Sequence, residues 1–224
     1  MSGFRIVSRT RKASAQQIAA YQDLPVANIS DAMQRLTAGG ANLRPYHAGG
    51  SMAGAALTVK CRPGDNLLVH YALNIAEPGD VIVVDAGGDV TNAIVGELML
   101  AFAAKKRIAG VVINGAVRDS LSIRNNALPV YAAGVTHRGP YKDGPGEVNV
   151  PISLNGMVIE AGDLIVGDDD GVLCVPFDHI NEIHALASAR HSGEIAKLQA
   201  IAEGRNKRDW VEKKLRELGC IFSS

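Results

Sequence analysis

The sequence predicts an α/β fold, on three observations. Val81–Val84 and Gly110–Ile113 are short apolar runs rich in β-branched residues and bounded by turn residues, as buried strands are. Between them Ala93, Ile94, Leu98, Leu100, Ala101, Phe102 and Ala104 recur at helical rather than alternating spacing. Strand, helix and strand in that order make a βαβ unit, which brings both strand-to-loop junctions to one edge of a parallel sheet.

In chain order, residues 1–12 are basic and aperiodic and are expected to form a loose arm. Ala13–Tyr21 fits a short helix with Ser14 near its start. Pro25 interrupts, and Val26–Leu36 carries Ile29, Ala32, Met33 and Leu36 at helical spacing, with Ser30 and Asp31 near the first turn. There Asp31 reads as a residue matched to the helix dipole. Gly39-Gly40 ends that element, and Ala55–Val59 reads as a strand. After the turn Arg62-Pro63-Gly64-Asp65, Asn66–Ala76 fits a helix with Leu67, Leu68, Tyr71, Ala72 and Ile75 on one side. His70 lies off that stripe and is assigned no chemistry.

Pro78-Gly79-Asp80 leads into the first strand of the βαβ unit, and Ala86-Gly87-Gly88-Asp89 is a flexible loop after it. Glu97 lies early in the connecting helix and Lys105-Lys106-Arg107 in its last turn, so charge complements the dipole at both ends. Gly96 would let a ligand approach the helix start, whose free N–H groups form an anion site. The second strand is closed by Asn114-Gly115, a turn that presents Arg118 and Asp119 side by side. A guanidinium matches a carboxylate or phosphate, and a carboxylate beside it can hold a hard cation. An isolated Arg-Asp pair is more often a surface ion pair; the preceding helix and glycine are what point to chemistry here.

Beyond it, Ser120–Asn125 is a helical turn and Pro129–Ala133 a strand. Gly134–Pro151, rich in glycine and proline, is a loop or irregular hairpin carrying His137, Arg138, Tyr141 and Lys142. Val158–Asp163 and Asp163–Val166 read as a hairpin about Ala161-Gly162. Asp168-Asp169-Asp170-Gly171 lacks the alternating spacing and distal Glu of a calcium loop and reads as a tight turn before a last strand, Val172–Val175. From Asp178 a helical stripe through Ile180, Ile183, Leu186 and Ala187 continues to Ile201; Gly204 breaks it, and Trp210, Val211, Leu215 and Leu218 form a final amphipathic helix. The expectation is one domain over 1–224, with a core over about 25–177 and a C-terminal helical tail over about 178–219.

Lys and Arg number 23 and so do Asp and Glu, which argues against direct nucleic-acid binding. No apolar run reaches the roughly 18 residues of a membrane span. Met1–Lys12 lacks the apolar stretch of a signal peptide, and Cys61, Cys174 and Cys220 are dispersed, so a cytoplasmic protein with reduced thiols is expected. Cys174, inside an apolar run, reads as core.

Gly96-Glu97-Leu98-Met99, then twenty residues between Glu97 and Arg118-Asp119, with the Pro-Gly-Asp strand before them, resembles the pattern of the RraA-like family. That family includes 4-hydroxy-4-methyl-2-oxoglutarate aldolases and regulators of RNase E activity. The resemblance runs from about Ser30-Asp31-Ala32 through Gly167–Val172 to the C-terminal helices. It implies a layered α-β-β-α sandwich of the swivelling β/β/α type, assembled as a trimer or a pair of trimers with sites between subunits. It also implies that a small 2-oxo acid is bound through its carboxylate by the backbone N–H groups of Gly96, Glu97, Leu98 and Met99 and by Arg118. A divalent cation, Mg²⁺ or Mn²⁺, would be held by Asp119 and otherwise largely by water, with Glu97 near those waters as a proton-transfer group. Asp31 and Glu194 match positions from which an adjacent subunit brings acids to the outer shell of the metal.

The implied activity is a metal-dependent aldolase acting on 4-hydroxy-4-methyl-2-oxoglutarate or a related 4-hydroxy-2-oxo acid, with Arg118 and Glu97 catalytic. Oxaloacetate decarboxylation through the same pyruvate enolate goes with it. No lysine is needed for a Schiff base. Ser122 stands where many aldolase members carry an acid, which bears on the choice of aldol substrate. A non-catalytic regulator that binds RNase E is the second expectation, since fold alone does not decide. A phosphohistidine carrier, for which His137 would have to serve, is the third.

Overall fold

The computed structural model describes residues 3–222. In chain order the elements are β1 (Phe4–Ile6), α1 (Ala15–Ala20), α2 (Val26–Ala32), β2 (Arg44–Pro45), β3 (Met52–Cys61), α3 (Leu67–Ile75), β4 (Asp80–Asp85), β5 (Ala93–Val95) and α4 (Glu97–Lys105). There follow β6 (Gly110–Val117), α5 (Ser120–Arg124), β7 (Val130–Val135), β8 (Gly146–Val148), β9 (Ile152–Leu154), β10 (Met157–Ile159), β11 (Leu164–Asp168), β12 (Gly171–Val175), α6 (Ile180–Ala202) and α7 (Asp209–Glu217).

The expected βαβ unit lies at the centre of a mixed sheet. β3, β4, β6 and β7 are parallel neighbours, and β8 and β1 extend the sheet beyond β3 while β2 edges β7. Every residue of β6 is buried, as a parallel strand covered on both faces must be. Alternation along the strands divides the core in two. On one side Leu57, Ile82, Val84, Val111 and Ile113 pack with α3, α4 and α5 through Leu68, Ala72, Leu100, Ala103 and Ile123. On the other, Ala55, Val81, Val83, Val112 and Tyr131 pack with β9–β12 and, beyond them, with α2 and α6 through Ile29, Ile180 and Ala187. The layer order is therefore α-β-β-α.

The chain closes on itself at several points. Ser14 caps α1 in a capping box with Gln17, and the Tyr21 hydroxyl donates to the Ile180 carbonyl at 2.6 Å, tying α1 to α6. The N-terminal arm is not loose. β1 pairs with β8, and the Arg9 guanidinium grips the buried Asp80 carboxylate in two hydrogen bonds of 2.9 Å. Met1 and Ser2, the first residues of the expected arm, lie outside the described residues.

Four boundaries differ from the sequence reading. The helix from Val26 stops at Ala32, because Gln34 and Arg35 take left-handed backbone angles; Asp31 thus lies in its last turn, not its first. Ala93–Val95 is a strand, so the connecting helix starts only after Gly96. β6 continues past Asn114-Gly115 to Val117, with a one-residue register shift against β7 between Ile113 and Ala116. There the Asn114 carbonyl accepts from Ala86 and Gly88, and a Cβ on Gly115 would lie 3.1 Å from that of Ala86. That glycine answers close approach, not a turn. Last, Asn155-Gly156 makes the hairpin between β9 and β10, and β11 pairs with β12 and β3 instead of β10. Gly162 is held by hydrogen bonds to Ala56 and Ala13, which rules out the hairpin expected about it.

Candidate active site

β6 delivers Arg118 and Asp119 to the C-terminal edge of the sheet, where the Arg118 N–H still donates to the Val95 carbonyl at 3.0 Å. Asp119 stands at φ 60°, a left-handed conformation that aspartate tolerates better than most residues. This turns its carboxylate back onto α4: Oδ2 accepts from the Glu97 N–H at 2.9 Å and lies 3.7 Å from Arg118 Nε. Gly96 has an extended backbone that any residue could adopt, so its role is space. A Cβ there would fall 2.5 Å from Asp119 Oδ2 and 2.9 Å from Arg118 Cγ and Nε. The missing side chain is what lets the helix start meet the Arg-Asp pair. Both side chains remain reachable, 43 % exposed for Arg118 and 41 % for Asp119.

Of the expected backbone donors, the Glu97 N–H is engaged by Asp119 and the Met99 N–H turns to the Gly96 carbonyl at 3.1 Å. The Leu98 N–H belongs to the first helical turn, which leaves donors without intrahelical partners. Two hollows meet at Arg118. One, of about 270 Å³, is lined among others by Asn66, His70, Gly96, Met99, Arg118 and Lys142. The other, a wider groove of about 630 Å³, is lined among others by Glu97, Asp119, Ser122, Thr136 and His137.

The stretch after β7, read in the sequence as a loop or irregular hairpin, is stitched to the body. Asp65 Oδ2 accepts from the Asp143 and Gly144 N–H groups at 2.7 and 2.9 Å, and its Oδ1 from Leu67 at 3.0 Å. Tyr141 exchanges backbone hydrogen bonds with Gly64 and Asn66, and the Ala93 N–H donates to the Arg138 carbonyl. Burial by itself would raise the Asp65 carboxyl; those three N–H groups and the Arg62 charge outweigh it and hold it below its ordinary range. So fixed, the loop carries Gly139, Pro140 and Lys142 to the smaller hollow. His70, set aside in the sequence, lines it too; burial first, then the Lys142 charge, lowers its proton affinity. Only the loop's density of polar residues hinted at this in the sequence.

Asp31 and Glu194 are not brought to Arg118 and Asp119 within one chain. Asp31 pairs with Arg35 at 2.6 Å and Arg190 at 3.1 Å, and Glu194 accepts from the Asn28 amide at 2.7 Å. Both sit on the α2–α6 side of the sheet, opposite α4. Among the described residues no three His, Cys, Asp or Glu side chains cluster to hold a metal. Asp119 nonetheless suits Mg²⁺ or Mn²⁺, because its Oδ1 makes no hydrogen bond among the described residues. Mg²⁺ typically takes one or two carboxylates and keeps several waters.

The RraA-like model, described as Aldolase/RraA, matches residues 26–174. The chain belongs to the RraA-like family. A Halalkalibacterium halodurans relative, provisionally named a 4-hydroxy-4-methyl-2-oxoglutarate aldolase, is 39% identical over 186 residues, 83% of this chain and 89% of that one. The RNA-processing inhibitor RraA from Thermus thermophilis is 30% identical, with a TM-score of 0.64 over 69% of this chain and 93% of that one. An uncharacterized protein from Pseudomonas syringae superposes with a TM-score of 0.79 at 27% identity, over 87% of this chain and 96% of that one. As in the sequence reading, no described helix of this RraA-like chain is long and apolar enough to cross a membrane. The RraA-like segment holds all of Gly96–Met99, Arg118 and Asp119, and leaves α6 and α7 outside.

Proposed function

We propose that this RraA-like chain is a divalent-metal-dependent aldolase that releases pyruvate from 4-hydroxy-4-methyl-2-oxoglutarate or a related 4-hydroxy-2-oxo acid, and decarboxylates oxaloacetate in the same site. The observation that carries the reading is the Arg118–Asp119 pair held against the start of α4 in the space that Gly96 leaves. The Arg118 fork suits the carboxylate of the 2-oxo acid, with the Leu98 N–H as a second donor. Breaking the C3–C4 bond, or losing the C4 carboxylate of oxaloacetate, leaves the enolate of pyruvate; the fixed charge of Arg118 stands where that negative charge develops. Asp119, with water and substrate oxygens, would hold the cation, whose chemistry when bound is to polarise the 2-oxo group as a Lewis acid. The Glu97 carboxylate, in the same groove as Asp119, moves the proton of the C4 hydroxyl through water. The aldolase name of a relative at 39% identity supports the reading. We place Asp31 and Glu194 on a neighbour's site in a homo-oligomer of three or six chains.

The test is pyruvate release from both substrates, with Mg²⁺ or Mn²⁺ and after chelation. Turnover that survives chelation would remove the metal from the reading. Arg118→Lys keeps charge but loses the fork, and should cost about ten- to a hundred-fold in turnover, with a rise in KM. The solved RraA structure favours a second reading, a protein-binding regulator of RNase E. An RNase E inhibition assay on wild type and Arg118→Lys separates the two, since a binder that uses its outer surface should not respond to the substitution.

A further inference from the structure

β1 lies ahead of the RraA-like segment, yet its ladder partner is β8, the strand into which the loop from Arg138 to Gly144 runs. β8 is three residues long, and without β1 it would be an edge of the sheet. The tie goes on past the ladder. Arg5 Nε donates to Glu147 Oε1 at 2.7 Å, the Val7 N–H to the Val148 carbonyl at 3.0 Å, and the Asn149 amide to the Val7 carbonyl at 2.9 Å. Arg9 on Asp80 then fixes the arm to the start of β4. This path leaves the Phe4 ring over Gly144. A Cβ on that glycine would lie 3.4 Å from Phe4 Cε2 and 3.6 Å from Cζ, with Leu67 Cδ2 next at 3.9 Å. Gly144, Asp143 and Leu67 are the residues whose N–H groups donate to the buried Asp65 carboxylate. Phe4 and Leu67 thus form an apolar cover where the loop is anchored, and such a cover strengthens hydrogen bonds by keeping water from them. Phe4 is itself 57 % exposed, so it adds little to the core.

We infer that Phe4 is a positioning residue: by sealing the Asp65 anchor it holds the loop, and with it Gly139, Pro140 and Lys142, against the hollow beside Arg118. The N-terminal arm is then a strap on the site and not only an added strand. Phe4 is not among the residues that line either hollow, so it bears on how firmly the loop is held rather than on the bond that breaks. The inference rests on the aldolase reading only where it concerns KM.

Hydrogen–deuterium exchange over residues 141–144 of the full-length chain, with β6 as internal reference, tests this without turnover. Phe4→Ala should speed exchange over 141–144 at least about ten-fold and leave β6 unchanged. Phe4→Leu keeps an apolar cover and should restore most of the protection. The ring is mostly exposed, so neither variant threatens folding. In oxaloacetate decarboxylation, Phe4→Ala should raise KM about two- to five-fold and keep kcat, because a loop less firmly held completes the hollow less of the time. Unchanged exchange over 141–144, or exchange that rises equally in β6, overturns the inference. Faster loop exchange with an unchanged KM overturns it too, since the arm would then serve the sheet alone. No pyruvate release even from wild type, with the exchange pattern and its rescue as expected, overturns the aldolase reading and leaves the positioning role standing.

Discussion

Asp119 combines a left-handed backbone with a carboxylate that accepts the Glu97 N–H. These are separable contributions. Alanine at φ 60° loses the local tolerance that Asp and Asn share, and it strips the start of α4 of its acceptor. Asp119→Ala should therefore lower stability by about 1–2 kcal/mol as well as abolish activity. Asp119→Asn keeps the backbone preference and an acceptor oxygen, so it should melt near wild type and still fail to turn over. Thermal denaturation beside pyruvate release measures both. A loss of activity in Asp119→Asn that came with the same drop in Tm would show that the residue serves the fold first.

At the scale of elements, the site is the junction of β6, α4 and the loop from Arg138 to Gly144. Asp65 is the anchor of that loop, and its carboxyl lies below its ordinary range. The unfolded chain therefore takes up the proton first, near pH 4. Ionised Asp65 contributes stability in full above that value, and the contribution is lost as pH falls through the lower folded value. Denaturant unfolding between pH 3 and 7 should show wild-type stability falling into acid, and Asp65→Asn should be less stable at pH 7 with a flatter acid limb. An acid limb of the same steepness in the variant would assign the loss to other carboxylates.

Much at this scale could be read from residue order. The βαβ unit, the short helix with Ser14 at its start, the acidic turn before β12 and the tail helices all announce themselves by local pattern. What could not be read depends on distant partners. Asn114-Gly115 has turn chemistry, yet it continues a strand because Ala86 and Gly88 claim the Asn114 carbonyl. Leu98 and Phe102 fit an apolar stripe but are 84 % and 45 % exposed, because the helix begins only after Gly96 and buries Leu100 and Ala103 instead. The Arg118–Asp119 pair was legible as spacing. The hollow with Lys142 was not, since the loop's position rests on Asp65, far from it in the chain.

On the scale of the molecule, two apolar surfaces are left over. One is on α3 and α4, with Tyr71, Ile75, Leu98 and Phe102; the other is on α6 and α7, with Ile195, Leu198, Ile201 and Trp210. Only Ile180, Ile183 and Ala187 of the 23-residue α6 are buried. Such surfaces fit a closed ring of copies in which a neighbour brings Glu194 to Asp119. Asp119→Ala and Glu194→Ala, each inactive alone, should on equal mixing and subunit exchange regain about one quarter of the wild-type sites, because a good site needs one partner of each kind. No recovery after demonstrated exchange would mean that each site is built within one chain. The separation of Glu194 from Asp119 across the sheet has a kinetic consequence as well. If a lone chain holds only half of its own catalyst, specific activity is a function of concentration: it should fall on dilution below the assembly constant, and return with a lag when the protein is concentrated again.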